Sequence, residues 1–297
     1  MARRAIREYD AKRLLARYLA GSGASSGFTY HGKVALVQFP NDKADASLAY
    51  PWESLVPDNP WLASAPADRL VVKPDQLFSK RGKQGLLGVD LSFEDVKAWT
   101  AEHAYKEVTL GNPSGVGQAT DRLTTFLIEP FIPHGQEDEM FIAIRTKREG
   151  DVIYFSWEGG IDIEENWDSV VQIFVPIELT ADMFADVNTA GPPTDLLKDL
   201  DIGGQIMAAW KLERPRKLER PRKLERLSPP TDVDTLTRFI EVLYKFFVDL
   251  GFAYLEINPF VFGSVSGRDA KSCVSTELSS QSEVVPLDFV ARLDDTA

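Results

Sequence analysis

Two short apolar runs, residues 70–72 and 85–89, bracket a loop that carries Lys80, Arg81, Gly82 and Lys83, and Lys73 closes the first run ahead of Pro74. Short apolar runs bounded by turn residues read as strands, so this stretch is expected to fold as strand, cationic loop, strand. Pro74 is expected to end the first strand, because proline has no N–H to give to a ladder. The loop chemistry suits a polyphosphate: lysine is a compact point charge, arginine grips two oxygens with one fork, and glycine lets the backbone come close to an anion. The same residues also fit an ordinary solvated basic turn, and the G-x-x-x-x-G-K-[ST] phosphate loop is absent. A choice between the two needs a metal site and an adenine pocket elsewhere in the chain.

Charge sharpens the point. The net charge is -12 over 297 residues. An acidic chain repels nucleic acid and anionic lipid, so any anion site has to be locally basic. Hydrophobic residues make up 44% of the chain, enough for a sizeable core. Cys273 is the single cysteine, which rules out an intrachain disulfide and fits a reducing compartment. No run reaches the roughly 18 apolar residues of a membrane-spanning helix. No apolar segment follows the basic residues 1–7, so no signal peptide is expected. A soluble cytoplasmic protein is the expectation.

The periodicity is mixed. Residues 8–19 read as a helix, with Tyr9, Leu14, Leu15, Tyr18 and Leu19 on one face and Lys12, Arg13 and Arg17 on the other. Residues 33–39 alternate like a strand. Residues 41–70 carry four prolines with Trp52 and Trp61, read as surface turns pinned by aromatic rings. Ser92 and Asp95 form a capping box for a helix presenting Val96 and Trp99. Residues 140–145 and 151–156 form a hairpin turning at residues 148–150. The repeat KLERPR, residues 211–227, places a proline every six residues and is expected to break any helix as an exposed low-complexity insertion. After it, Thr231 and Asp234 are expected to cap a helix whose face is Leu236, Phe239, Ile240, Leu243, Phe246, Phe247 and Leu250. Residues 263–283 are serine-rich and read as a second insertion.

Two further stretches bear on chemistry. Residues 129–133, Glu-Pro-Phe-Ile-Pro, make a stiff apolar linker whose free backbone groups could hold an adenine edge or simply connect strands. The strand at residues 252–257 delivers Glu256 and Asn258 ahead of Pro259, and a strand at 284–290 carries Asp288. If the two strands pair, Asn258 and Asp288 can meet, and hard oxygen donors of this kind suit Mg²⁺. Two satisfied polar residues at strand ends are an equal alternative. His31, His103 and His134 show no metal spacing and no nucleophile partner.

In order along the chain, REYDAKRLLARYL, VVKPDQL with KRGK, FLIEPFIPH, EGGIDIEENWD, YLEINPF and PLDFVARLDDTA resemble the ATP-grasp region of the ATP-citrate lyase (ATP-citrate synthase) family, most closely its alpha chain. A more distant likeness is to the beta subunit of succinyl-CoA synthetase. The resemblance implies an α+β ATP-grasp fold, mixed α/β, with ATP between two subdomains. The smaller would span residues 25–128 and the larger residues 1–24 with 129–297. It also implies that Lys73, Arg81 and Gly82 contact ATP phosphates, Pro130 and Ile132 contact adenine, Glu139 holds the ribose, and Asn258 and Asp288 bind Mg²⁺. Glu256 would help receive a phosphohistidine loop.

The implied reaction passes the γ-phosphoryl group to a histidine and then to citrate. CoA follows, giving citryl-CoA and finally acetyl-CoA and oxaloacetate. No histidine here lies in a block resembling the phosphohistidine motif, so a beta-chain partner is expected to supply it. The sequence stops at DDTA, where the resemblance implies that the family continues into a citrate-binding domain. A succinyl-CoA synthetase-like ligase subunit and a truncated, non-catalytic ATP-binding module remain the alternatives.

Overall fold

The computed structural model describes residues 3–21, 26–40, 50–63, 69–77, 85–111, 118–160, 167–176, 197, 200–217, 232–263 and 282–294. Two separate sheets carry the fold. The larger runs in the order β1 (Arg3–Ile6), β14 (Phe289–Asp294), β12 (Phe252–Phe262), β9 (Met140–Lys147), β10 (Gly150–Ser156), β11 (Val171–Pro176). It is completed by β13 (Ser282–Pro286) beside β12 and β2 (Phe28–Thr29) beside β13. The smaller has the order β3 (Ala35–Gln38), β8 (Thr125–Pro130), β4 (Leu70–Pro74), β5 (Gly88–Leu91). A two-stranded ribbon of β6 (Glu107–Gly111) and β7 (Gln118–Arg122) stands apart from both.

Helices α1 (Glu8–Gly21), α3 (Ile202–Lys217) and α4 (Val233–Asp249) pack on the larger sheet. The inward residues of β9, β10, β12 and β14, such as Ile142, Ile153, Leu255, Ile257 and Phe289, are buried against Leu236, Phe239, Ile240, Leu243, Phe246 and Phe247 of α4. Each such side chain contributes roughly 1.5–3 kcal/mol by leaving water. The last member expected on that face, Leu250, is instead exposed at the helix end. Asp232, not Thr231 with Asp234, caps α4, its carboxylate accepting from the Thr235 N–H at 2.9 Å. Residue 231 lies outside the described residues.

Helix α2 (Phe93–His103) covers the smaller sheet and opens with the expected Ser92–Asp95 capping box. Trp52 and Trp61 lie against that second core with Tyr50 and Phe93. Pro74 belongs to β4 rather than stopping it: it stands opposite Phe126 on β8, while pairing with β5 has already ended at Val72 and Gly88. Its missing N–H therefore costs the ladder nothing on that side.

Two other expectations change. Lys12 is not on a solvated face of α1; it is wholly buried. Helix α3 runs through the first KLERPR unit to Lys217, past Pro215. The proline sits in the final turn, where one missing backbone bond leaves few later bonds to disrupt. Residues 218–231, with the rest of the repeat, and residues 264–281 lie outside the described residues.

Candidate functional site

The site is assembled where β4 and β8 of the smaller sheet meet α1 and the bend between β13 and β14. Helix α1 starts there because the buried Asp75 carboxylate, just past β4, accepts from the Glu8 and Tyr9 N–H groups at 3.0 and 3.2 Å. A carboxylate at a helix N-terminus satisfies orphan donors and suits the helix dipole. This anchoring turns Glu8 and Lys12, one turn apart, toward Lys73 and Glu129.

Lys73 Nζ lies 2.7 Å from Glu8 Oε1, 2.9 Å from Glu129 Oε1 and 2.6 Å from the Leu287 carbonyl oxygen. Lys12 Nζ reaches the same three groups, at 2.8 Å from Glu8 Oε1, 2.5 Å from Glu129 Oε2 and 3.2 Å from the Leu287 oxygen. Two cations and two carboxylates thus share one dry pocket, and an ammonium has three donors for three acceptors. Burial pulls the Lys12 ammonium down, but Glu129 and Glu8 more than reverse it, so its pKa lies above the ordinary lysine value. Beside them, burial pushes the Tyr30 hydroxyl well up, reinforced by Glu129 and Glu8. Burial holds the His31 imidazole down at about 4, with Lys12 and Lys33 adding to the effect and Glu129 opposing it. Among the described residues the buried Tyr30 hydroxyl and His31 Nε2 have no hydrogen-bond partner.

The linker follows directly. Pro130 is the last residue of β8, opposite Leu70, and the Phe131 N–H donates to the Arg69 oxygen at 2.7 Å. The Ile132 side chain is buried in the core of the larger sheet. Its carbonyl oxygen lies 2.6 Å from His134 Nδ1, and His134 Nε2 lies 3.2 Å from Glu139 Oε1.

Strand β12 brings the third group. Leu255 and Ile257 face the core, while Glu256 and Asn258 share the more open face. The Tyr254 hydroxyl donates to Glu256 Oε2. The expected continuous strand at 284–290 is two strands with a bend at Leu287 and Asp288. Both strands pair β12 in one antiparallel register, Ile257 with Phe289 and Phe260 with Pro286, so Asn258 falls opposite Asp288. The Asn258 N–H donates to the Asp288 carbonyl oxygen at 3.1 Å. On its other side the Asn258 amide clamps Gly160, accepting from its N–H at 2.7 Å and donating to its oxygen at 3.2 Å. Gly160 has φ +90°, and a Cβ there would lie 2.5 Å from Glu139 Oε2. Only glycine lets the backbone pass so close to that carboxylate.

These contacts close a ring. Lys73 touches Leu287, Asp288 meets Asn258, Asn258 holds Gly160, Gly160 abuts Glu139, Glu139 meets His134, and the linker returns through Pro130 to Glu129 and Lys73. Of the residues singled out in the sequence, Lys73, Pro130, Ile132, Glu139, Asn258 and Asp288 stand on this ring, with Glu256 two residues before Asn258. Arg81 and Gly82, with Lys80 and Lys83, lie outside the described residues. The sequence reading missed Glu8, Lys12, Asp75, Glu129, His134 and Gly160. One signal was present: Glu8, Lys12, Leu15 and Leu19 fall at helical i, i+4, i+7, i+11 spacing, which places the lysine on the buried stripe.

Comparison with known proteins agrees with this geometry. Residues 2–192 match the family described as the ATP-citrate synthase ATP-grasp domain. The chain is 33% identical over 299 residues to ATP-citrate synthase alpha chain protein 2 of Arabidopsis thaliana, covering 100% of this chain and 52% of that protein. It is 32% identical over 297 residues to ATP-citrate synthase of Bos taurus, covering 21% of it. Among solved structures, ATP citrate lyase from Methanothrix soehngenii, in complex with citrate and coenzyme A, superposes with a TM-score of 0.63 at 35% identity. That match covers 99% of this chain and 52% of that one. The chain therefore spans about half the length of the alpha-chain and archaeal relatives. Two sheets meeting at such a ring, with this family match, define an ATP-grasp domain. More particularly, the chain belongs to the ATP-citrate synthase ATP-grasp family.

Proposed function

We propose that this chain is the nucleotide-binding part of an ATP-citrate synthase, which uses MgATP to phosphorylate a histidine on a partner beta chain. The observation that carries the reading is the closed ring: a lysine, a stiff linker, a carboxylate and an amide–carboxylate pair, drawn from distant parts of the chain, are joined by successive contacts. Lys73, Arg81 and Gly82 contact the phosphates, Pro130 and Ile132 the adenine, and Glu139 the ribose. Asn258 on β12 and Asp288 in the bend opposite it carry hard oxygens of the kind that suits Mg²⁺; Asn258 Oδ1 would have to leave the Gly160 N–H to ligate the ion, which when bound would supply neutralising charge to the phosphates.

The chain's own residues position and compensate charge, the main requirement of phosphoryl transfer. All three Lys73 donors are matched by Glu8, Glu129 and Leu287. Contact with a phosphate requires Lys73 to release one of them. Lys12 touches the same three groups and keeps the two carboxylates compensated when that happens. His134 is held between Ile132 and Glu139, His103 stacks on Trp99, and His31 Nδ1 accepts from the Lys33 N–H. The phosphoryl acceptor is accordingly assigned to the partner, with Glu256 on the open face of β12 meeting its loop. In the assembled enzyme the phosphoryl group would pass on to citrate, and CoA would then give citryl-CoA, acetyl-CoA and oxaloacetate.

Calorimetry of MgATP binding to this chain and to Asp288→Ala tests the reading. Binding by the parent that weakens in the variant supports it, and a parent chain that binds no MgATP would overturn it.

A further inference from the structure

Both ring nitrogens of His134 face acceptors. Nδ1 lies 2.6 Å from the Ile132 carbonyl oxygen and Nε2 lies 3.2 Å from Glu139 Oε1. A neutral imidazole has one donor and can satisfy only one of them; the imidazolium satisfies both. The opposite oxygen of the same carboxylate, Glu139 Oε2, is packed against Gly160, the residue clamped by the Asn258 amide. One oxygen of Glu139 thus faces His134, just past the linker, and the other sits at the lip of the ring.

We infer that His134 is a positioning residue that locks Glu139 in place for the hydroxyls of a bound ribose, giving the site a preference for ribonucleotides that depends on the His134 proton. The inference rests on the nucleotide reading above and adds the residue that makes the ribose contact specific. Loss of the proton leaves the Nε2 lone pair facing Glu139 Oε1 while Nδ1 keeps its bond to Ile132. The carboxylate is then repelled from the imidazole, and its hold on the ribose weakens while the phosphate contacts stand.

The electrostatics agree. The hydrogen bond to Glu139 raises the His134 pKa above the ordinary 6.5, burial opposes it, and the Ile132 oxygen and the charges of Glu139 and Asp138 support it. Glu139 and Asp138 are the charged groups that act on His134 among the described residues. A raised pKa means that the interaction is complete below 6.5 and is lost as the pH climbs through the raised value.

The experiment measures MgATP and its 2′,3′-dideoxy analogue, which share the same phosphates, at about pH 6 and about pH 9 on the parent chain, His134→Gln and His134→Ala. In the parent, the preference for ATP over the analogue should fall about tenfold at the higher pH, the worth of one charge-assisted hydrogen bond. His134→Gln keeps a donor that does not titrate and should hold one preference at both pH values. His134→Ala should show the weak preference at both. A parent preference that is the same at both pH values, or one undiminished in His134→Ala, would overturn the inference. Glu139→Ala separates the two levels. If it binds ATP but leaves the preference intact, the ribose role fails, while absence of ATP binding by the parent overturns the nucleotide reading and this inference with it.

Discussion

Lys73 Nζ lies 2.6 Å from the carbonyl oxygen of Leu287, the residue before Asp288, across 214 positions of sequence. The cation assigned to the nucleotide phosphates and the carboxylate assigned to the metal are therefore tied by one bond between the two sheets. Any movement of the β13–β14 bend is felt at Lys73, and Lys12 touches the same oxygen. On the proposed function, the residues for phosphate, for metal and for the packing of α1 are parts of one polar assembly.

Lys12→Met should be the most damaging single change in that assembly. It leaves two buried carboxylates with one cation, and breaking a buried ion pair from one side costs about 3–5 kcal/mol. Adding Glu129→Gln removes the uncompensated charge and should recover more than about 1 kcal/mol by denaturant unfolding. Additive losses in the double variant would show that the two side chains do not interact.

Lys73→Met should behave differently. Glu8 and Glu129 keep Lys12 as a partner, so the melting temperature should drop less than in Lys12→Met. ATP affinity should fall by more than about tenfold, since a charge-assisted phosphate contact is lost. A variant that melts as low as Lys12→Met while binding ATP normally would reverse the division of roles.

Gly160→Ala should act on Glu139. Its backbone has φ +90° and the new Cβ would lie 2.5 Å from Glu139 Oε2. Strain of this kind costs about 1–3 kcal/mol, and displacement of the carboxylate should reproduce the ATP affinity of Glu139→Ala. Parent-like affinity measured by calorimetry would place Glu139 outside the nucleotide site.

Acid should weaken the fold through His31. Burial holds its folded pKa at about 4 against an ordinary 6.5, so the neutral form is the one the fold accepts. Its contribution is present above 6.5 and is lost as the pH falls toward 4, a change of about 3 kcal/mol. His31→Phe should flatten that part of the stability profile, as followed by melting temperature between pH values of about 7.5 and 4.5. An unchanged slope would assign the acid sensitivity to the carboxylates.

What could be read from the chain was local. The capping box at Ser92 and Asp95, the hairpin of β9 and β10 and the apolar face of α4 are set by neighbours a few positions apart, and all three are present in the structure. Asn258 and Asp288 could be set opposite each other in advance because the periodic strands on either side keep one register, although Asp288 itself sits in the bend between β13 and β14. Contacts between distant parts of the chain left no such trace. Asp75 caps a helix 67 positions earlier, and the amide of Asn258 grips the backbone of Gly160 98 positions away. Lys12 was assigned to solvent because lysine ordinarily is exposed; only the carboxylates of Glu8 and Glu129 make its burial tolerable. Pro215 failed as a stop signal because it stands in the last turn of α3 rather than its middle.

The pairing of β1 with β14, Arg3 opposite Asp294, has a consequence for synthesis on the ribosome. The strands of the smaller sheet all fall between Ala35 and Pro130, with the β6–β7 ribbon among them, and can pair once that stretch emerges. Among the described strands β1 pairs with β14, so that pairing cannot form until residues 289–294 have been made. The two buried lysines, Lys12 and Lys73, therefore lack the Leu287 oxygen until long after the smaller sheet has formed, and the polar ring closes later than that sheet.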